Sequence, residues 1–440
     1  MRLTAAGARS THSLRRRGRY LLLAGALLAA GAGWLAHRGT PATETGQADA
    51  SHAARPAAWL DRLGQTSGLT STDACLHPAA GTQAPSPPAR LSGRLGLYVA
   101  VVDPVTLEPL RATSHDPDGV FPLASAYKQA VLWALLKQRD DGTLKLSETF
   151  SVNSGTQSLG NYPYDHSDVT ALAKRMIHNS DNTATDLLHR RVGLQAVQDV
   201  ADGLRLCNTR LILPTKDWWT AQAGLSPSFP GADRFAALHG QGRLLAAQAL
   251  DADTRQNRPD LLQHRLDDYF DHRYSARTDL GTQNVSTPAE FAHLVAAEFL
   301  RSGLSQSSQQ VQRDIMATGF GRSRLHVPLT VFGGKGGNGW RMLSFSGYLH
   351  TAGGEDVVYA FMQHGADQEY TMPNTGAAFA WINAAMKTVL LEGDGGDATQ
   401  SGNVTRGVKP APASADPATV DPATLAPAAQ AVISGTARTP

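Results

Sequence analysis

The sequence predicts an α+β fold in which an antiparallel sheet packs against helices. Three strand-like runs follow one another closely in the C-terminal half, at residues 330–337, 342–349 and 356–363. Strands joined by short connections usually pair as neighbours, which favours an antiparallel meander. Residues 211–285, by contrast, have helical patterning and little strand character. Sheet and helix are therefore expected in separate parts of the chain.

Two earlier strands and a closing helix complete the predicted sheet layer. Residues 95–102 form an uninterrupted apolar run that ends at the turn signal Asp103-Pro104, as a buried strand would. A second strand around residues 110–113 would form a hairpin with it. Residues 375 to about 391 have the pattern of a helix, which would close the domain.

The N-terminus carries a signal for export. An arginine-rich start precedes an uncharged apolar stretch at residues 20–36, and the basic flank of such a segment stays in the cytoplasm. We interpret residues 1–38 as a signal peptide or membrane anchor, 39–56 as a linker, 57–392 as the folded domain and 393–440 as a disordered tail. The protein is then expected in the periplasm or on the outer face of the cytoplasmic membrane, touching the membrane only through its N-terminal segment.

Composition argues against several classes of partner. The 440 residues have a net charge of +2, so no nucleic-acid partner is expected. The histidines and the two cysteines lack the spacings of a metal site, and we expect neither a metal nor a cofactor. Cys75 and Cys207 allow one disulfide in an oxidising compartment, and the sequence leaves their pairing open.

The stretch around Ser125 and Lys128 carries the first chemical signal. Pro122 before it and the apolar residues 130–136 after it predict a helix that begins near Ser125. Residues at i and i+3 share one helical face, so the Lys128 amine can reach the Ser125 hydroxyl. A serine needs an adjacent base to become a nucleophile, and a desolvated lysine can be that base. An isolated Ser-x-x-Lys, however, is more often a helix cap and a surface lysine.

Two later motifs favour the catalytic interpretation of Ser125 and Lys128 over the helix-cap interpretation. The helical pattern of residues 169–192 is interrupted by Asn179-Ser180-Asp181-Asn182-Thr183, a cluster of poor helix formers that predicts a polar turn facing a cleft. Lys335-Gly336-Gly337 lies in the first of the three predicted C-terminal strands.

Together the three motifs resemble those of the penicilloyl-serine proteins, whose pattern is S-x-x-K, S-D-N and K-T-G, and most closely those of the class A serine β-lactamases. The run Asn182-Thr183-Ala184-Thr185-Asp186 and the helix start at Ser286-Thr287-Pro288 strengthen the likeness, which covers residues 95–391. The resemblance implies an antiparallel sheet flanked by helices plus an all-helical lobe, with the active site in the cleft between them.

The resemblance also implies roles for individual residues. Ser125 would be the acylated nucleophile, Lys128 its proton acceptor, and Ser180 the relay of a proton to the leaving nitrogen. Asn182 would hold the substrate amide, and Lys335 the substrate carboxylate or the field on Ser180. Gly337 and Asn338 would lie along the substrate, with the backbone N–H groups of Ser125 and Asn338 as the oxyanion hole.

Two departures from the family pattern bear on activity. Gly336 lacks the hydroxyl that would bind a substrate carboxylate; Arg322, Arg324 and Arg341 are substitutes to consider, although most arginines are simply surface residues. The loop after Ser180 contains no glutamate to activate the deacylating water. Asp217 is the only carboxylate near the expected place, with a surface or capping role as the alternative. An insertion within about residues 212–285 is expected to have remodelled this loop and the cleft rim.

Aromatic residues near this rim leave a further alternative open. Trp218, Trp219 and Trp340 are candidates for lining a substrate groove, although aromatic side chains near a core edge are more often structural.

The sequence therefore predicts an exported serine hydrolase that cleaves a β-lactam or a related amide or ester through an acyl-enzyme on Ser125. The expected partner is a small β-lactam or a cell-wall peptide or ester, and the expected state is a monomer. One alternative is an envelope module that binds penicillin or peptidoglycan with weak catalysis. Another is an esterase or D,D-peptidase-like acyl hydrolase on the same fold.

Overall fold

The computed structural model describes residues 75–160 and 165–394. The predicted signal segment at 1–38, the linker at 39–56 and residues 395–440 of the predicted tail lie outside the described residues. So do residues 57–74, the start of the predicted folded domain. Among the helices of the described residues, none is both long and apolar enough to cross a bilayer.

A six-stranded sheet forms the centre of the fold. Its strands are β1 Thr82–Gln83, β2 Arg94–Val102, β3 Pro109–His115, β8 Leu329–Gly339, β9 Met342–Thr351 and β10 Asp356–His364. Their order in the sheet is β1-β3-β2-β10-β9-β8, with β1 parallel to β3 and every other neighbouring pair antiparallel. Two small ladders pair β4 Phe121–Pro122 with β7 Val285–Ser286, and β5 Thr149–Phe150 with β6 Ser167–Asp168. The predicted hairpin and antiparallel meander are confirmed.

The described residues also form twelve α-helices. They are α1 Lys128–Asp140, α2 Val169–His178, α3 Asn182–Val192, α4 Leu194–Gly203, α5 Thr215–Gln222, α6 Ala232–Ala236, α7 Gly240–Thr254, α8 Pro259–His272, α9 Ala276–Thr282, α10 Pro288–Leu300, α11 Gln306–Met316 and α12 Thr375–Asp394. The α+β class is thereby confirmed, and so is the helical character of residues 211–285. Helix α10 begins as the sequence predicts, because the Thr287 side chain caps it by accepting from the N–H of Glu290.

The sheet is covered on both faces, which explains why its central strands are apolar without interruption. Along β2, Tyr98 and Ala100 pack into the core with helices α1 and α10, whereas Leu97 and Val99 pack with α12 on the other face. Successive strand residues point to opposite faces, so a strand buried on both sides has no polar positions to alternate.

One disulfide joins the two cysteines. Cys75, at the start of the described residues, is bonded to Cys207, which follows α4 at a separation of 132 residues. The open question of their pairing is thereby answered.

Candidate active site

Ser125 lies in a turn between the sheet and helix α1. Residues Ala124–Tyr127 form one turn of 3₁₀ helix, and the α-helix begins at Lys128, three residues later than the sequence suggests. Ala124 has φ of 44°, a left-handed conformation that is rare for a residue with a Cβ. Such a strained conformation persists only where the surrounding structure determines it.

Lys128 is fully buried and contacts the second motif. Its Nζ donates to the carbonyl oxygen of Ser180 at 2.7 Å and to Oδ1 of Asn182 at 2.7 Å, and Ser180 Oγ lies 3.3 Å away. The two closer atoms can only accept. A neutral amine would direct its two N–H groups to them and keep its lone pair for a hydroxyl proton.

Lys335 approaches the same hydroxyl from strand β8. Its Nζ donates to Ser180 Oγ at 3.0 Å and to the carbonyl oxygen of Gly336 at 2.6 Å. The Ser180 hydroxyl therefore lies between two buried amines, one from α1 and one from the sheet. Ser125, Ser180 and Asn182 are all half-buried, as expected for side chains that line a cleft.

Burial changes the proton affinity of both lysines. Desolvation lowers the pKa of Lys128 to about 7, although Asp181 and Asp186 oppose the shift. The pKa of Lys335 falls well below its ordinary value because the side chain is buried and because the positive charge of Lys128 is near. A pKa of about 7 means that a large fraction of Lys128 is neutral at neutral pH.

The break between α2 and α3 presents Ser180 to these amines. Ser180 has φ of 55°, and the Asp181 side chain caps α3 by accepting from the N–H of Ala184 at 3.0 Å. Helix α2 ends at His178 and α3 begins at Asn182, so the predicted polar turn is confirmed. Asn182 Nδ2 also donates to the carbonyl oxygen of Leu159 at 3.2 Å, which fixes the amide orientation.

Strand β8 runs directly against the Ser125 turn. A Cβ placed on Gly337 would lie 2.5 Å from the backbone nitrogen of Ser125 and 2.8 Å from that of Ala126. No side chain fits there, so glycine is required for the approach. Asn338 follows on the same strand, half-buried, and β8 is the last strand of the sheet order. Its outer backbone groups can therefore face a ligand, as an oxyanion hole requires.

Gly336 faces aromatic rings instead of the cleft side of the strand. A Cβ there would lie 3.1 Å from two ring carbons of Phe345 and 3.4 Å from Phe320. The rings of Phe320 and Phe345 stack with centroids 5.4 Å apart. The rings of Phe345 and Phe320 therefore lie where a side chain at position 336 would begin, and a threonine there would have to displace these rings.

The comparison with protein families gives one decisive match. The model described as the β-lactamase enzyme family matches residues 92–389. This chain belongs to the β-lactamase enzyme family. The family resemblance predicted from the three motifs is thereby confirmed.

Several solved structures are similar to this family member. The β-lactamase from Sphaerobacter thermophilus has 19% identity over 68% of this chain and 90% of that chain, with a TM-score of 0.45. The class A β-lactamase from Mycobacterium abscessus has 13% identity over 68% of this chain and 94% of that chain, with a TM-score of 0.46. An ancestral class A β-lactamase of Gram-negative bacteria has 18% identity over 69% and 95%, with a TM-score of 0.46. A search of curated proteins finds no match.

Asp217 of this β-lactamase family member lies in an ion cluster formed by helices α3, α5 and α7. Its Oδ1 accepts from Arg190 Nη2 at 3.1 Å, and Arg190 also donates from Nε to Asp251 at 2.6 Å. The Asp217 side chain is fully buried, and burial together with the charge of Asp251 raises its pKa well above the ordinary range. The structure does not join Asp217 by hydrogen bonds to Ser125, Lys128 or Ser180.

Helix α5 is held to the Ser180 motif by a residue that sequence reasoning did not single out. The Asp186 carboxylate accepts from the N–H groups of Thr215 at 2.6 Å and Lys216 at 2.9 Å, and from the Thr215 hydroxyl. The Thr215 hydroxyl also lies 3.5 Å from the carbonyl oxygen of Asn182. A carboxylate at a helix N-terminus stabilises that helix. The available signal was an acidic residue directly before the apolar pair Leu187-Leu188 of α3.

Two serines of β9 were also missed. Ser344 Oγ donates to the carbonyl oxygen of Leu123 at 2.7 Å, and Ser346 Oγ accepts from Gln129 Nε2 at 2.9 Å. These bonds tie the Ser125 turn to the sheet. Their signal in the sequence was the alternation Ser344-Phe345-Ser346 inside a strand, which puts both hydroxyls on one face.

The remaining candidates divide by location. Arg322 and Arg324 lie in an exposed 3₁₀ turn, where Arg324 sits over the Phe320 ring, and Arg341 sits over Tyr274. The buried Trp218 ring packs against the Tyr127 ring, with ring centroids 5.5 Å apart. This packing favours the structural alternative for Trp218 over a place in a substrate groove. Trp219 remains half-buried.

Proposed function

We propose that this chain is an exported serine hydrolase that opens a β-lactam, or a related amide or ester, through an acyl-enzyme on Ser125. One observation carries the proposal: two buried lysines, Lys128 and Lys335, converge on the Ser180 hydroxyl beside the Ser125 turn. A structural role gives no reason to bury two amines on one hydroxyl, since each burial costs free energy unless its charge is compensated.

Acylation uses the low pKa of Lys128. The neutral amine accepts the proton of the Ser125 hydroxyl while Oγ attacks the substrate carbonyl carbon. The oxyanion accepts hydrogen bonds from the backbone N–H groups of Ser125 and Asn338. The Lys128 proton then passes through Ser180 to the leaving nitrogen as the C–N bond breaks. Because Lys335 donates to Ser180 Oγ, the Ser180 hydroxyl proton can be passed on.

Deacylation in this scheme uses the same amine. Water gives its proton to Lys128 and attacks the ester carbonyl, and the Ser125 oxygen then leaves and takes the proton back. We assign Asp217 a structural role here, as the counterion of Arg190, because its carboxylate is buried in the ion cluster. Deacylation without a dedicated carboxylate is expected to be slower than acylation.

A second candidate function follows from that expectation. If the acyl-enzyme persists, the protein acts as a penicillin-binding envelope module with weak turnover. The ion pair of Asp217 and the aromatic packing at Gly336 favour this candidate, because one removes a base and the other a substrate hydroxyl contact.

Export is part of the proposal. The basic and then apolar residues 1–38 support it, and the disulfide between Cys75 and Cys207 is of a kind that persists in oxidising compartments. Fusion of residues 1–38 to a reporter that is active only outside the cytoplasm should give activity. A reporter that stays inactive would contradict export.

The chemistry is tested with a chromogenic cephalosporin. The full-length protein should release colour, and Ser125→Ala should not, while both keep the same thermal unfolding midpoint. A stoichiometric burst would favour the penicillin-binding candidate, and steady turnover would favour the hydrolase. Equal colour release by Ser125→Ala would contradict the mechanism.

A further inference from the structure

We propose that Lys216 is a positioning residue for the proposed reaction on Ser125. Its buried amine ties the loop of residues 153–159 to helix α5, and this loop in turn holds Asn182 beside Lys128. The inference rests on the proposed function and adds a residue to its acylation step. Lys216 lies outside the three motifs, so its role depends on contacts that only the folded chain brings together.

The Lys216 side chain is fully buried, and its amine contacts the backbone of the loop. Nζ donates to the carbonyl oxygen of Gly155 at 2.9 Å and to that of Ser154 at 3.3 Å. Both of these acceptors are neutral. Burial lowers the pKa of Lys216 to about 8, and the charge of Arg190 adds to the shift, although nearby aspartates oppose it. Burying an amine costs free energy, which is unusual for a residue that only fills space.

The backbone of Lys216 is fixed to the helix that carries Asn182. Its N–H donates to Oδ2 of Asp186 at 2.9 Å, and Asp186 lies four residues after Asn182 on α3. Residues four apart lie on the same helical face. Lys216 therefore connects this face of α3 to the loop, because α3 holds its backbone and its amine holds the loop.

The loop of residues 153–159 contains a compact turn, so a hold on Gly155 is transmitted along it. Asn153 Oδ1 accepts from the N–H of Gly155 at 2.9 Å and from that of Thr156 at 3.0 Å. The carbonyl oxygen of Asn153 accepts from the N–H of Gln157 at 2.8 Å. These bonds make the turn move as one unit.

The far end of the loop contacts the second motif. The Ser158 N–H donates to the Thr183 hydroxyl oxygen at 3.1 Å. The Leu159 carbonyl oxygen accepts from Asn182 Nδ2 at 3.2 Å, and Oδ1 of the same amide accepts from Lys128 Nζ at 2.7 Å. An amide group is planar and rigid, so a displaced Leu159 carbonyl also displaces the oxygen that orients Lys128. The contacts thus lead from one buried lysine to the other.

A purely structural role for Lys216 makes a different prediction. If Lys216 only stabilised the fold, its loss would reduce the number of folded molecules, and each folded molecule would still react at the wild-type rate. A positioning role instead slows the reaction of every folded molecule. The yield of adduct and its limiting rate constant therefore separate the two roles.

The test uses the full-length Lys216→Met protein, which keeps a long side chain and loses the donors. Adduct formation with benzylpenicillin is followed by intact mass over time and substrate concentration. The limiting rate constant should fall roughly 10-fold, since a misplacement of about 1 Å costs roughly 100-fold and a loosened loop is displaced less. Hydrogen exchange of the peptide amides at 153–159 should become faster.

Gln138→Met is the matched control. Gln138 Nε2 also donates to a backbone carbonyl oxygen, that of Val192 at 2.6 Å, but at the opposite end of α3 from Asn182. This control should keep the limiting rate constant within about threefold and leave the exchange at 153–159 unchanged.

An unchanged limiting rate constant in Lys216→Met would overturn the inference, whether or not the yield of adduct falls. Unchanged exchange at 153–159 would also overturn it. If Lys216→Met does not fold, Lys216→Gln carries the same test, because its shorter side chain no longer reaches both carbonyl oxygens. Failure of the proposed function has a different signature: the wild-type protein would form no adduct on Ser125, although Lys216→Met would still loosen the loop.

Discussion

Replacing Gly337 by alanine is the sharpest perturbation that the site offers. The added Cβ would lie 2.5 Å from the backbone nitrogen of Ser125, whereas ordinary van der Waals contact begins at 3.4 Å. The difference, 3.4 − 2.5 = 0.9 Å, must be taken up by β8 or by the Ser125 turn. Both are backbone, and neither can rotate away as a side chain would.

A displacement of this size has a predictable cost. Misplacing a reacting group by about 1 Å reduces the rate roughly 100-fold. The overpacking itself is expected to reduce the free energy of unfolding by about 1–3 kcal/mol. The rate constant for acylation should therefore fall roughly 100-fold in Gly337→Ala, with a smaller relative loss of stability.

Gly339→Ala is the matched control on the same face of β8. The three atoms nearest to its Cβ would all belong to the Met342 side chain, at 3.1 Å or more, and that side chain can move. Acylation is followed by burst kinetics with a chromogenic cephalosporin, and stability by thermal unfolding. We expect the control to stay within about threefold of the wild type. Wild-type acylation by Gly337→Ala would refute the close approach of β8 to Ser125.

Three further predictions concern charge and covalent structure. Because the neutral form of Lys128 is the proposed base, the rate of acylation should rise with pH and reach half its maximum near pH 7. The Lys128→Arg variant should not show this rise. Asp217→Asn should leave kcat/KM within about threefold and lower the free energy of unfolding by about 1–3 kcal/mol, since Arg190 loses one of its two partners. Replacing Cys75 and Cys207 by serine should cost roughly 2–5 kcal/mol by opening a loop of 132 residues, and should preserve activity.

Each of these has an outcome that counts against it. A pH profile without a rise near 7, measured from pH 5 to 9, would remove Lys128 as the base. Loss of turnover in Asp217→Asn at unchanged stability would return Asp217 to the water-activating role. A double serine variant that unfolds at the wild-type midpoint would show that the disulfide adds nothing to the folded state.

The strands could be predicted from sequence because their signals are local. Uninterrupted apolar runs bounded by turn residues correctly predict the hairpin and the three-strand meander. The break before Asn182 was equally predictable, since Asn, Ser and Asp compete with helical hydrogen bonds. The capping role of Asp181 accords with the same chemistry.

Other features depend on contacts between distant residues. Ser344 holds the residue before the Ser125 turn, Leu123, and Ser346 holds Gln129 at the start of α1; each pair is more than 200 positions apart, which no local pattern reveals. Asp217 was a reasonable base by position, but its surroundings come from Arg190 and Asp251 on two other helices. Burial by tertiary packing, not local sequence, decides what these polar side chains can do.

Intact-mass measurement of the full-length protein after mixing with benzylpenicillin tests the central claim most directly. The account predicts a mass increase equal to one penicillin, located by peptide mapping on the segment that contains Ser125 and absent in Ser125→Ala. Lys128→Arg should form the adduct at least about 100-fold more slowly, since general bases contribute about that factor or more. No adduct on the wild-type protein, or an unchanged adduct on Ser125→Ala, would contradict the acyl-enzyme mechanism.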